Sequence, residues 1–222
     1  MTKKSIKDEK ILINTIFSNL PMGVPGMELR ITDTINLAKK YLTDKARKYE
    51  VDDNIYLHSL RIAVRASEYA KKISQNGFYR YDLVIIALLH DIIEDADCDD
   101  LRAHLEIYRD YGANTVLNGI EALTNDDEKI KEIGRSKYMS MKFSELSKNT
   151  DAFVIKLLDR IDNLSGLPAL NLEDSEQRLF RRAYLLESLV IYNNLCMNGY
   201  AVPNIIFDIY SEFVTILTQN KF

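Results

Sequence analysis

Three places in the 222-residue chain set polar side chains inside apolar helical sequence. Such residues persist where something compensates the cost of burying them. The densest is His90-Asp91, which closes the run LVIIALL and is followed one turn later by Glu94-Asp95. On a continuous helix His90 stacks over Glu94 and Asp91 over Asp95, so four ionisable groups share two turns. The second is Asp159, after FVIKLL, with Arg160 beside it and Asn163 one turn on. The third is His58, two residues after Tyr56 on a helix otherwise apolar on that side. Two imidazoles and two carboxylates converging from three helices suit a divalent transition ion such as Mn²⁺ or Fe²⁺, with positions left for water and substrate. An HD pair alone is common by chance, so the combination carries the weight. His104, among Arg102, Glu106 and Arg109, is expected to be an exposed residue of a polar helix and not a ligand.

The elements that must position these groups read as helices. An amphipathic stretch from Ser5 to Ser18 is ended by the loop PMGVPG, and Thr32 or Asp33 can cap a second helix to about Lys48. A third carries Ile55 to Ile73 at three- and four-residue spacing, with His58 near its start and Asn76-Gly77 as the stop. Tyr81 to Ile93 is apolar all round and reads as one helix threaded through the core. Leu101 to Arg109 and, after Gly112, Ala113 to Leu123 are shorter helices. Thr124 to Glu132 is acidic and polar, an expected exposed loop. Helices over Tyr138 to Leu146, Ala152 to Leu164, Ser175 to Gly199 and about Ile205 to Thr218 complete the chain, the last starting at Asn204. No strand-helix alternation, repeat or heptad run appears. The expectation is an all-α bundle, with residues 1–30 as a helical appendage and loop and 31–222 as one domain.

Composition narrows the partners. Hydrophobic residues are 46% and charged residues 28%, the ordinary globular balance. With 33 acidic against 29 basic residues the net charge is −4, so the surface offers no field for a nucleic-acid duplex, and a polyanionic ligand must be met by a local basic pocket. No apolar run reaches the roughly 18 residues of a membrane span, and MTKKSIKDEK has no apolar stretch behind its lysines. Cys98 and Cys196 have neither zinc-knuckle spacing nor the density of a disulfide scaffold, which points to a reducing cytoplasm. Oligomeric state is left open, since Phe180, Tyr184, Leu185, Val190 and Ile191 suit a core or an interface.

LHSLRIAVRASEYA, ALLHDIIEDAD, IYRDYGANTVLNGIEALTND and VIKLLDRIDNL resemble, in order and spacing, the HD hydrolase domain of the RelA/SpoT alarmone family. The resemblance covers about residues 40 to 165. It implies a stand-alone small alarmone hydrolase, with His58, His90, Asp91 and Asp159 as metal ligands and manganese as the ion. It also implies that Glu94 and Asp95 form the acid/base pair, that Asn163 lies at the nucleotide and that Arg47-Lys48 lies near the guanine. Lys137 and Lys142, with Arg135, are the candidates for the phosphate-binding position. Lys48, Arg61, Lys156 and Arg160 are expected to gather the negative charge of such a substrate, since arginine suits bidentate phosphate contacts. The implied reaction removes the 3′-pyrophosphate of guanosine 3′,5′-bis(diphosphate) or its triphosphate relative, giving GDP or GTP. Two rivals stay open at this point: a hydrolase of another nucleotide on the same scaffold (a 5′-nucleotidase, or one acting on an adenine alarmone or NADPH), and a non-catalytic helical module that keeps the site as a relic.

Overall fold

A computed structural model describes residues 8–21, 26–49, 53–74, 80–96, 98, 100–107, 113–146, 148–197 and 207–220. Among them there is no strand beyond an isolated antiparallel bridge between Ala46 and Asn54. The all-α expectation holds. The expected signals at Asn76-Gly77, Gly112, Gly199 and Asn204, and most of PMGVPG, lie outside the described residues. Chain contacts divide the protein into two units, residues 1–124 and 125–222.

The first unit is built around a helix whose residues from Leu83 to Leu89 are buried. Helix α1 (Glu9–Asn19) starts on Asp8, whose carboxylate accepts from the Ile11 N–H, and it buries Leu12 and Ile16. Helix α2 (Met27–Leu42) begins after Gly26, which sits at φ +81°, and buries Ile31, Ile35, Ala38 and Leu42. It starts earlier and stops earlier than the capping residues suggested. Helix α3 (Ile55–Ile73) is capped by Asn54, whose side chain accepts from the Leu57 N–H at 2.8 Å. Helix α4 (Tyr81–Leu89) buries Leu83 through Leu89 completely, as its apolar run requires. Helices α5 (Ile92–Asp95), α6 (Asp100–Glu106) and α7 (Ala113–Leu123) follow. Gly119 allows α7 to lie close on α4, since a Cβ there would come within 2.6 Å of Ile86 Cδ1.

The expected appendage is built into this unit. α1 packs on α3, Tyr56 Oη and Lys39 Nζ both donate to Glu9 Oε1 at 2.9 and 2.8 Å, and Asn19 donates to Ser67. The helix expected over Tyr81 to Ile93 is corrected to two. Asp91 leaves the helical basin (φ −100°, ψ 0°), and the chain re-enters it for the single turn of α5. His104 is also corrected: it is half-buried, with Nε2 3.3 Å from Thr34 Oγ1, and burial lowers its pKa.

A buried ion pair ties the approach to α3. Both guanidinium amino groups of Arg61 donate to Asp53, at 3.0 and 2.8 Å, and the side chains of both are almost wholly buried. The preceding segment is held by backbone bonds from Ile55 to Lys45 and from Arg47 to Asp53. Removing one partner strands a buried charge, so Asp53→Ala is expected to destabilise the fold by about 3–5 kcal/mol. The double replacement Asp53→Leu with Arg61→Met should cost much less. Denaturant unfolding of the two variants checks this; equal losses would contradict it.

In the second unit the stretch expected as a loop contains helix α8 (Asp127–Ile133). Asp126 caps it, Asp127 and Glu128 complement its N-terminal dipole, and Gly134 ends it at φ +82°. All its residues stay out of the core, so no apolar period announced it. Helices α9 (Arg135–Leu146), α10 (Thr150–Gly166), α11 (Ser175–Met197) and α12 (Phe207–Gln219) follow, with a 3₁₀ turn at Leu167–Ala169. α10 is central: Ala152 through Leu164 are buried, with α9, α11 and α12 packed against it. No helix of the described residues is long and apolar enough to cross a membrane.

Candidate metal centre

In the first unit the break at His90 brings three donor atoms together. His58 on α3 and His90 at the end of α4 are each only 2% exposed, with ring centroids 5.2 Å apart. His90 Nδ1 lies 2.9 Å from the Ala87 carbonyl, which can accept only a proton donated by that nitrogen. In the neutral ring Nε2 is then the lone-pair atom. It faces Asp91 Oδ2 at 3.0 Å, and His58 Nε2 lies 3.8 Å from the same oxygen. Two acceptors at that separation need a cation to join them, a proton or a metal ion. The donor set of two imidazoles and a carboxylate, with a backbone carbonyl fixing one tautomer, fits a divalent transition ion.

Glu94 and Asp95 sit on the turn that follows, both exposed, while Ile92 beneath them is fully buried. Ile93, the last residue of the stretch expected to thread the core, is 39% exposed. The Asp95 N–H still bonds the Asp91 carbonyl at 2.9 Å, so the pair keeps roughly the one-turn spacing despite the break. Although Asp95 as a residue is exposed, its carboxyl is crowded. Desolvation first, then the like charges of Asp91 and Glu94, push it up to about 6. A divalent ion on Asp91 would cancel one of those charges and favour loss of the Asp95 proton. Asp95's contribution to metal affinity should therefore rise with pH up to about 6 and level off above it. Mn²⁺ titrations of the wild type and Asp95→Asn across that range check this; parallel pH profiles would contradict it.

In the second unit Asp159 is 4% exposed on α10. Lys156 Nζ donates to its Oδ2 at 2.8 Å, and the Asn163 amide, one turn on, donates to its Oδ1. Asn163, expected at the nucleotide, thus orients this carboxylate, and Lys156, expected to gather phosphate charge, neutralises it. Partners of this kind hold metal-ligating carboxylates in place.

A model of the HD domain family matches residues 55–164. This stretch is an HD domain. It spans α3 with His58, the His90-Asp91 break and α10 with Asp159, and it is the domain of metal-dependent phosphohydrolases. No curated protein matches the chain by sequence. Among solved structures, the fold is similar to that of a metazoan ortholog of SpoT that hydrolyzes ppGpp and plays a role in starvation responses. The TM-score is 0.59 at 18% identity, over 88% of this chain and 98% of that one.

The remaining basic residues expected at the substrate differ in their local partners. Arg47 Nε lies 4.0 Å from the Asp53 carboxylate, and Lys48 lies over the ring of Tyr49, which takes φ +61°. Arg61, expected near phosphate, is instead committed to Asp53. Lys137 is exposed, while Lys142 donates to Asn125 and lies over Tyr138. Arg160 is buried against the Tyr184 ring, with Nη1 3.4 Å from Glu187. Asp53 and Glu187 escaped the sequence reading, because each meets its partner on another element and no local pattern marks it.

Proposed function

We propose that the protein hydrolyses guanosine 3′,5′-bis(diphosphate) and its triphosphate relative at the 3′ position, releasing pyrophosphate and GDP or GTP. His58, His90, Asp91 and Asp159 would hold one divalent ion, with manganese favoured over Fe²⁺. The observation that carries the reading is the convergence of His58, His90 and Asp91 inside an HD domain, with Glu94 and Asp95 one turn away. The alarmone substrate is further supported by the residue pattern around these ligands and by the likeness in fold to a metazoan ortholog of SpoT that hydrolyzes ppGpp.

When bound, a divalent ion supplies Lewis acidity, which makes water nucleophilic at neutral pH and relieves charge at phosphorus. The chain does the rest. Glu94 or Asp95 accepts the proton from the attacking water, and the raised pKa of Asp95 brings a carboxyl toward the working range of a general base. Lys156 and Asn163 fix the Asp159 carboxylate. Arg47 and Lys48 meet the nucleotide, and Lys137, Lys142 and Arg160 add positive field for the pyrophosphates. The substrate is a soluble guanine nucleotide, and the setting is the cytoplasm.

The test is a nucleotide panel with Mn²⁺, read by phosphorus NMR. Pyrophosphate and GDP from ppGpp support the reading. Orthophosphate from monophosphates, with ppGpp untouched, would replace it with a nucleotidase, and no turnover of any nucleotide would replace it with a non-catalytic module.

A further inference from the structure

One face of the second unit carries leucines where a solvated helix would carry charge. Helix α11 packs against α9, α10 and α12 and turns Leu185, Ser188 and Ile191 inward, all of them buried. On its opposite side Ser175, Glu176, Leu179, Arg182, Ala183 and Leu186 are exposed. Leu179 is 65% exposed and Leu186 is 49% exposed, and their seven-residue spacing puts both on one line along the helix. Leu172, 45% exposed, stands at the same spacing before Leu179, in the turn ahead of the helix. That turn is fastened to α11. Asp174 Oδ1 accepts from the Glu176 and Gln177 N–H groups at 2.9 and 3.1 Å, and Gln177 Oε1 accepts from the Asn171 N–H at 2.9 Å. Exposed leucines scattered singly are ordinary, whereas leucines aligned on one face mark a surface for a partner.

The residues that flank the leucines select the partner. Glu176 and Arg182 stand equally far before and after Leu179 in the chain, and so do Ser175 and Ala183. Glu176 and Arg182 lie about 120° apart around the helix, on opposite flanks of the leucine line, so they are not placed to pair within one chain. Two α11 helices laid antiparallel, with a two-fold axis beside Leu179, bring each residue against the one equally far on the other side of Leu179. Leu179 then meets its own copy, and Leu172 meets Leu186 of the second copy. Glu176 shares a layer with Arg182 of the second copy, and the short side chains of Ser175 and Ala183 in that layer leave room for the two charges to reach each other. A parallel pair would instead set Glu176 against Glu176 and Arg182 against Arg182.

We propose that this face of α11 is where two copies of the chain associate, antiparallel about Leu179. A single helix pair buries less than the roughly 1,200 Å² of stable complexes, so the dimer is a weak and reversible one.

The test is sedimentation equilibrium of the full chain over about a hundredfold range of concentration, which carries a weak pair from mostly monomer to mostly dimer. No nucleotide or metal ion enters the measurement. The wild type is expected to shift from the monomer mass toward twice that mass. Leu179→Glu puts two like charges on the axis and should weaken association by about tenfold or more. Glu176→Arg and Arg182→Glu each replace an attraction by a repulsion and should each weaken it by about tenfold, while the double variant should return to within about threefold of the wild type. All three positions are exposed, so thermal melts of the variants at low concentration should match the wild type closely. The proposal is overturned if the wild type stays monomeric throughout, if Leu179→Glu associates as the wild type does, or if the double variant fails to recover. A monomeric wild type that sediments with phosphatidylserine vesicles would give the leucines to a lipid surface instead.

Discussion

His90→Ala is expected to abolish metal binding and turnover together while leaving a folded protein. The imidazole is buried, its Nδ1 is satisfied by the Ala87 carbonyl, and its Nε2 is turned toward Asp91 and the His58 ring. Truncation removes one donor of the proposed set without leaving a new charge behind. Merely disturbing a group that orients a ligand costs about 10–100-fold, so loss of the ligand itself should cost on the order of 10³-fold or more in kcat/KM. A second readout does not depend on knowing the substrate. An ion that binds only the folded state stabilises it, by about 2.7 kcal/mol at a hundredfold excess over Kd. Added Mn²⁺ should raise the Tm of the wild type and leave that of His90→Ala where it was. Equal stabilisation of both would mean that the ion binds elsewhere.

Glu94→Gln separates chemistry from assembly. Glu94 stands on the one-turn helix α5, three residues past Asp91 and outside the proposed ligand set. Glutamine keeps the shape and removes the ability to accept a proton. If Glu94 activates water, kcat should fall by about 10²–10⁴-fold, with Mn²⁺ affinity and KM nearly unchanged. The companion Asp95→Asn shows which of the two carries the proton, since the variant with the larger loss of kcat identifies the base. Full turnover in Glu94→Gln would end its acid/base role.

Much of this was legible because buried helices write themselves plainly. The unbroken apolar run of α4, the three- and four-residue spacing of α3 and the FVIKLL core of α10 each placed an ionisable residue against a hydrophobic background. The break at Asp91 was not legible: Ile92 and Ile93 continue the apolar pattern across it, and only the backbone angles reveal that the carboxylate turns toward the histidines. α8 was missed because an acidic helix of 7 residues, with none buried, has no apolar face to read. Arg61 looked like a phosphate binder because its partner, Asp53, lies eight residues back and ahead of α3, where no helical spacing pairs the two. The Arg135–Glu187 contact joins residues 52 apart, so only the fold puts it in view. Charge type and spacing thus mark which groups chemistry could use, while packing decides which of them are already taken.

Pulsed EPR of the full chain loaded with stoichiometric Mn²⁺ tests the central claim most directly, because nitrogen couplings report the donor atoms themselves. The account predicts couplings from two histidine nitrogens in the wild type, one of which disappears in His58→Ala and one in His90→Ala if the ion is retained at high concentration. A spectrum of Mn²⁺ with oxygen and water ligands only, unchanged by either substitution, would contradict it.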